Sequence, residues 1–341
     1  MKVLRFLTTL FALTLTTSFA PLSAQEGGLS YDAYLEILKA QARAQGVSEP
    51  TLERMTQGLT PNERVIRLDR AQPGSSSDPG FPPLAPYLQT HVNSIRINRG
   101  RDVYREHPTL LAQIEREYGV PGEIIVAIFG HETSYGTIKG DFDMSRSLST
   151  LAWEGRRRDL FASEWIALMK VADKGYSRGT LVGSWAGAFG NPQFLPSVYL
   201  RLAVDGDGDG RADIFNNRAD TFASIANYFR AAGWRPGQPW GVRVSIPSGF
   251  DVDAFRTELV AQVCPRVHER HSQWKTVAEW RKLGVQPQVP LSDSVMASLF
   301  QPDGPGTGAW LLTSNYRAIL EYNCSNYYAM SVGLLADEIA R

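Results

Sequence analysis

The sequence predicts a mainly α fold of the α+β kind, in which a helical body carries a small β-containing lobe as an insert and takes back its last helix from beyond it. Three observations predict this. Helical periodicity with helix-start residues fills most of 29–229; alternation at period two first appears at 240–246; helical periodicity returns at 327–340. The expected division is a body of residues 25–237 and 314–341 and an α/β lobe of residues 238–313. With 341 residues, 43% hydrophobic and 21% charged, the chain has ample material for such a core.

The chain opens on MKVLRFLTTLFALTLTTSFAPLSAQ, with Lys2 and Arg5 at the start, an apolar centre and small residues near Ala24. This pattern predicts a secretory signal peptide over residues 1–24 and a soluble, exported, periplasmic protein. Ala24 suits the position before cleavage, whereas Leu22 is a poor residue two places earlier. No cysteine follows the apolar run, so no lipid anchor is expected, and no other apolar run reaches the roughly 18 residues of a membrane helix. Loss of residues 1–24 removes Lys2 and Arg5 and no acid, leaving 33 basic against 35 acidic residues. So balanced a chain has no field to draw nucleic acid or anionic membrane, which leaves recognition to shape and hydrogen bonds.

Ser30 before YDAYLEILKAQARAQ and Ser48 before EPTLERMTQGL mark the first helices. The segment QPGSSSDPGFPPLAP, residues 72–86, is too rich in Pro, Gly and Ser for regular structure and predicts a strap crossing the surface. WGVRVSI, residues 240–246, places Val242, Val244 and Ile246 on one face of a strand. Residues 298–301 and 309–313 flank PDGPGTG as a hairpin, with a helix before them at about 276–282 and a closing helix at 327–340.

The stretch FGHETSYG, residues 129–136, is one residue short of the zinc-protease pattern HExxH. Tyr135 stands where the second histidine would be, and His91, His107, His268 and His271 offer no comparable helical pair, so zinc hydrolysis is excluded. Pro121 at the start, Glu123 in the first turn and Gly136 past the end frame a helix over residues 121–135. Ile125, Ile128 and Glu132, spaced by three and four, share a face. Glu132 thus extends an apolar stripe near the negative end of the helix dipole, and both desolvation and the dipole raise its pKa. A carboxyl kept protonated near neutral pH suits it to donate a proton to a glycosidic oxygen. The plainer reading of the stretch by itself is a helix-end glutamate that caps or pairs locally.

Fifty residues on, GSWAGAFGNPQFLPSVY, residues 183–199, combines Gly183, Gly187 and Gly190, which permit close backbone approach, with polar Ser184 and Gln193. The ordered set E-T-x-Y-G and S-W-A-G-A-x-G-x-x-Q-F-x-P-S resembles the soluble and membrane-bound lytic murein transglycosylase B family. LTPNERVIRLDRAQP, YGVPGEIIVAIFGHETSYG, NYFRAAGW and YNCSNYYAM extend the likeness over most of the chain after residue 24. The resemblance implies a lysozyme-like catalytic body acting on peptidoglycan glycan strands, with cell-wall synthesis or remodelling proteins as further possible partners. It makes Glu132 the sole acid and base and Ser184, Gln193, Tyr228, Tyr322, Asn323 and Tyr328 the residues of the cleft. No cofactor is implied for catalysis. The activity implied is cleavage of the β-1,4 bond between N-acetylmuramic acid and N-acetylglucosamine, closing a 1,6-anhydro ring through the muramoyl C6 hydroxyl. His131 and Ser134 fall at variable positions of the pattern, while Asn191-Pro192 before Gln193 departs from the small or aromatic residues expected there. A two-carboxylate muramidase using Asp141, Asp143 or Glu154 is the alternative; an inert peptidoglycan-binding protein or a calcium-dependent structural module is the alternative outside enzymes. Trp153, Trp185 and Trp234 can stack on sugars, although helical bodies commonly bury tryptophan.

DGDGDGRAD, residues 205–213, places oxygen donors at positions 1, 3, 5 and 9 and Gly210 at position 6, like the opening of an EF-hand loop. Its position 12 is Asn216, and the resemblance implies a modified loop closed later by Asp220. The expected structural Ca2+ donors are Asp205, Asp207, Asp209, the Arg211 carbonyl and Asp220; the alternative is a solvated acidic turn. Cys264 and Cys324 can close a loop of about 60 residues in an oxidising compartment, adding roughly 4 kcal/mol, or remain two unpaired buried thiols.

Overall fold

The computed structural model of the chain describes residues 28–72, 83–258, 261, 263–304 and 306–341. The expected signal peptide, residues 73–82 of the expected strap and residue 305 of the hairpin loop lie outside them. The helices of the described residues are α1 Tyr31–Ala44, α2 Glu49–Thr56, α3 Glu63–Arg70, α4 Leu84–His91, α5 Ser94–Glu106, α6 Pro108–Tyr118, α7 Gly122–Thr133, α8 Met144–Glu154, α9 Arg158–Asp173, α10 Pro196–Leu202, α11 Arg218–Ala231, α12 Pro265–His268, α13 Val277–Lys282, α14 Ser314–Tyr322 and α15 Asn326–Ile339. The strands are β1 Phe142–Asp143, β2 Val182–Gly183, β3 Gly241–Ser245, β4 Trp274–Thr276, β5 Gln286–Pro287, β6 Met296–Phe300 and β7 Ala309–Leu312.

Local chemistry starts these helices where polar residues stand. Ser30 and Asn62 accept backbone N–H groups at the starts of α1 and α3. Ser48 also stands at an N-cap, but its hydroxyl is spent on Asp173 of α9 at 2.6 Å, so it ties two helices together. Thr276 and Glu279 form a reciprocal capping box at α13.

The helical body has two hydrophobic cores. In one, α6, α7, α11, α14 and α15 close around Phe129, Phe222, Phe229, Tyr316 and Met330, all fully buried. In the other, α1, α2, α8, α9 and α10 close around Leu38, Leu148, Trp165 and Phe189. The two meet along a seam where Tyr322 packs against both.

A third core belongs to the lobe, whose antiparallel sheet has the strand order β4-β6-β7-β3-β5. Val242 and Val244 point inward as the alternation predicts, against Trp280 of α13, Leu299 and Leu311. Ile246 lies past the end of β3 and packs only at the margin of this core. Residues 296–300 and 309–312 form the expected hairpin, with Leu299 opposite Leu311.

The ends of the lobe meet: the Thr313 amide donates to the Trp240 carbonyl at 3.1 Å and its hydroxyl to the Pro239 carbonyl at 2.6 Å. Trp240 is buried on Gly333 of α15, where any Cβ would come within 2.3 Å of the indole, and its Nε1 donates to Asp337 at 3.1 Å. Cys264 and Cys324 are joined, with Cα atoms 5.4 Å apart, so the lobe is fastened covalently to the turn between α14 and α15. Closing a loop of this length removes about 4 kcal/mol of unfolded-chain freedom. The lobe is thereby anchored to the helices that hold the seam.

Candidate active site

Helix α7 is buried on every side from Ile124 to Gly130, so it is a central helix and its apolar stripe is a complete sheath. The helix was expected to run to residue 135, yet it stops at Thr133. Ser134 and Tyr135 adopt left-handed φ values of 48° and 60°, followed by Gly136 at 84°. The strain buys a packing position for Tyr135: its buried ring lies on Gly130, where a Cβ would meet it at 2.5 Å, and its hydroxyl donates to the Arg96 carbonyl of α5 at 2.8 Å. The residue that spoiled the zinc pattern is therefore the plug that ends the helix.

Glu132, one residue before that end, reaches the seam partly accessible. The Tyr328 hydroxyl of α15 donates to its Oε1 at 2.6 Å. Removal from water pushes the carboxyl up to about 7, and the Tyr328 hydrogen bond, which favours the ionised form, opposes only part of that. Burial beside Glu132 raises the Tyr328 and Tyr322 phenols well above their ordinary range, so both remain donors. Tyr322 donates across the seam to the Pro192 carbonyl at 2.5 Å. Tyr228 lies against it, ring centroids 4.6 Å apart, and donates to the Glu321 carbonyl at 2.7 Å; burial pushes its phenol up to about 12.

The loop after Pro192 is held to α7 from below. The Thr133 hydroxyl donates to the Asn191 carbonyl at 3.3 Å, the Asn191 side chain donates through Nδ2 to the Phe215 carbonyl and the Thr221 hydroxyl at 3.2 and 3.1 Å, and all three of Thr133, Asn191 and Thr221 are fully buried. Gln193 then adopts a left-handed φ of 50°, with Nε2 donating to the Gly190 carbonyl at 2.8 Å. Asn191-Pro192, the departure noted in the sequence, is thus a brace between the loop of Gln193 and the helix of Glu132.

The structure brings Glu132, Tyr328, Tyr322 and Tyr228 together and ties the Gln193 loop to them. Ser184 closes its own loop by accepting the Ala188 amide at 2.9 Å, and Asn323 is exposed at the end of α14. Trp234 is buried in the first core; Trp153 is partly buried and donates to the Leu29 carbonyl, and Trp185 packs at the edge of the second core. Asp143 caps α8 and pairs with Arg178, and Glu154 pairs with Arg70, so both are committed to local structure; Asp141 is exposed.

Sequence reading missed Tyr87, His91 and the placement of His131. Tyr87 stacks on His91 at 3.9 Å, His91 on His131 at 5.8 Å, and His131 tilts against Tyr328 at 5.4 Å. Burial pushes His131 down to about 3, helped by the Arg96 charge, so it is a neutral imidazole. Helical spacing could have put His131 beside Glu132; nothing local pairs it with α4.

In the 205–213 loop, carboxylate oxygens of Asp205, Asp207 and Asp209 converge within 4.8 Å of one another. Amides of Gly210, Gly208 and Asp209 hold Asp205 below its ordinary pKa. Three hard oxygens this close suit a divalent cation. Asp220 is outside that trio: fully buried, it accepts the Gly206 and Asp213 amides at 2.7 and 2.6 Å and so closes the loop through its backbone. The Arg211 side chain turns away, its guanidinium 4.0 Å from the centroid of Tyr176.

This fold and its seam define a class. The profile described as Transglycosylase SLT domain matches residues 30–337, and the chain belongs to that family. Among individual relatives, it is 32% identical over 290 residues to membrane-bound lytic murein transglycosylase B of Escherichia coli strain K12, covering 82% of this chain and 74% of that protein. The crystal structure of SltB3 from Pseudomonas aeruginosa in complex with NAG-anhNAM-pentapeptide superposes with a TM-score of 0.82 at 36% identity, over 92% of this chain and 80% of that one. The structure of Escherichia coli lytic transglycosylase Slt35 in complex with calcium matches with a TM-score of 0.73 at 27% identity, over 90% and 92% of the two chains. The chain is a lytic transglycosylase of peptidoglycan with the expected mainly α, lysozyme-like fold. No helix among the described residues is long and apolar enough to cross a membrane.

The brace beneath the site is testable by stability. Asn191→Ala removes the two Nδ2 hydrogen bonds to the Phe215 carbonyl and the Thr221 hydroxyl, which keep Lys139 and Asn217 as partners, and urea unfolding is expected to show a loss of about 1 kcal/mol. A loss within error of zero would show that the Asn191 side chain does not hold the loop.

Proposed function

We propose that this enzyme cleaves the β-1,4 bond between N-acetylmuramic acid and N-acetylglucosamine without water, with Glu132 as acid and then base. The observation that carries the proposal is the Glu132 carboxyl itself, buried at the seam, pushed up to about 7 and held by the Tyr328 phenol, while Asp143 and Glu154 are paired locally. Protonated Glu132 gives its proton to the glycosidic oxygen, which leaves as the N-acetylglucosamine 4-hydroxyl. The muramoyl N-acetyl carbonyl stabilises the positive C1. Tyr328 supports the carboxylate that remains, and that carboxylate takes the C6 hydroxyl proton while O6 closes on C1. Because the nucleophile is internal, neither a second carboxylate nor a water is needed, unlike ordinary glycosidases. The anhydro ligand in the SltB3 complex supports this product.

Gln193, Tyr228, Tyr322 and Tyr328 are assigned to the cleft around the reacting sugars, with Ser184 and Asn323 at its margins. Peptidoglycan strands are the partner, in the periplasm, consistent with the N-terminal export pattern. A calcium ion would be held by Asp205, Asp207 and Asp209, with the Arg211 carbonyl and Asp220 completing the loop. It would neutralise three crowded carboxylates and stiffen the approach to α11, without entering the reaction.

Glu132→Gln is expected to abolish turnover of purified peptidoglycan while leaving the circular dichroism unchanged, and mass spectrometry of wild-type products is expected to show 1,6-anhydromuramoyl ends. Retained turnover, or reducing ends in place of anhydro ends, would overturn the assignment. Since the acid must begin protonated, kcat/KM is expected to hold below about 7 and to fall as pH rises through that value; a fall centred near the ordinary carboxylate pKa would contradict it. Calcium added to chelator-treated protein is expected to raise Tm, and Asp205→Asn with Asp207→Asn to remove the rise. An equal rise in the double variant would place the ion elsewhere.

A further inference from the structure

We infer that His131 is a positioning residue, whose imidazole, wedged between His91 and Tyr328, sets the angle at which the Tyr328 hydroxyl reaches Glu132. This rests on the reading of Glu132 as the proton donor.

Three helices contribute to one row of rings. On α4, Tyr87 and His91 stack nearly parallel, 8° apart with centroids at 3.9 Å, and His91 Nδ1 lies 2.8 Å from the Tyr87 carbonyl, which fixes the imidazole on its own helix. His131 of α7 continues the row at 5.8 Å and 9°. Tyr328 of α15 ends it, tilted 56° to His131 at 5.4 Å. A phenol hydroxyl is placed by the rotamer of its ring, and the ring by what it packs against. The 2.6 Å bond to Glu132 therefore depends on the face His131 presents.

The His131 ring also interacts with the Ser331 backbone of α15, while its buried Nε2 has no partner of good hydrogen-bond geometry. A branched apolar side chain would fill the same space without the cost of burying an imidazole, at the loss of the Ser331 contact. What a flat ring supplies, and a branched aliphatic side chain does not, is a plane parallel to His91 and a fixed surface for Tyr328. The Tyr87 phenol, itself under the influence of the Glu132 charge, and Arg96, whose charge acts on His131, stand around the same row; Tyr322 faces Glu132 from α14.

The role predicts a direction that simple loss of packing does not. Tyr328 donates to the carboxylate, so misaligning it withdraws a donor and raises the pKa of Glu132. Water admitted by a gap would lower it.

The test is a double-mutant cycle of His131→Val and Tyr328→Phe on purified peptidoglycan, with anhydro products first verified for the wild type so that failure of the proposed reaction is seen separately. His131→Val is expected to lower kcat about tenfold with KM within about twofold, and to move the alkaline fall of activity to higher pH. Tyr328→Phe is expected to do the same, and the double variant no more than either alone. His131→Phe, which keeps a ring, is expected to stay within about threefold of wild type. Additive losses, an alkaline fall that stays put or moves down, or a His131→Phe enzyme as slow as His131→Val, would each overturn the inference.

Discussion

One hydrogen bond, from the Tyr328 phenol to the Glu132 carboxyl, joins the two helices on which the site depends. Helix α7 is buried on all sides and has no polar face, so a carboxylate at its end is tolerated only where a donor meets it. Helix α15 brings that donor from almost two hundred residues away in sequence. Burial raises the carboxyl and the phenol alike, which in the proposed reaction lets Glu132 keep its proton near neutrality and the phenol keep its own at every stage. A more exposed seam would lose the first property, and a drier one without Tyr328 would leave the conjugate base unsupported.

Much of the surrounding architecture fixes α15 in place. The lobe presses Trp240 into the gap left by Gly333, its two ends are hydrogen-bonded together, and the Cys264–Cys324 bridge binds it to the turn just before α15. On the opposite side, Tyr322 reaches over to Pro192 while Thr133 and Asn191 connect the same loop to α7. The lobe has its own core and is fastened to α15 and to the turn before it through Trp240 and the Cys264–Cys324 bridge. An insert remote from the chemistry in sequence thereby stabilises its geometry.

The helical body, the lobe and the closing helix were legible because periodicity is a local property: the strand at Val242 and Val244, the capped helix after Thr276 and the hairpin at Leu299 and Leu311 each carry their own pattern. Glu132 was legible for the same reason, through its spacing from Ile128. The end of α7 was misplaced by two residues because Ser134 and Tyr135 adopt left-handed conformations that glycine usually supplies, and only the tertiary slot over Gly130 accounts for this. The row from Tyr87 to Tyr328 was invisible, since α4 has no local mark linking it to α7 or α15. Asn191 looked like a rigid irregularity and is a buried brace, a role that becomes visible only once Thr133 and Thr221 are seen beside it.

The central claim is that the seam holds Glu132 protonated near neutral pH, and direct titration of that carboxyl tests it. With glutamate labelled by carbon-13 at the side-chain carboxyl, and the Glu132 resonance assigned by its loss in Glu132→Gln, the predicted midpoint is about 7. A midpoint near 4.5, the unperturbed value, would contradict the account.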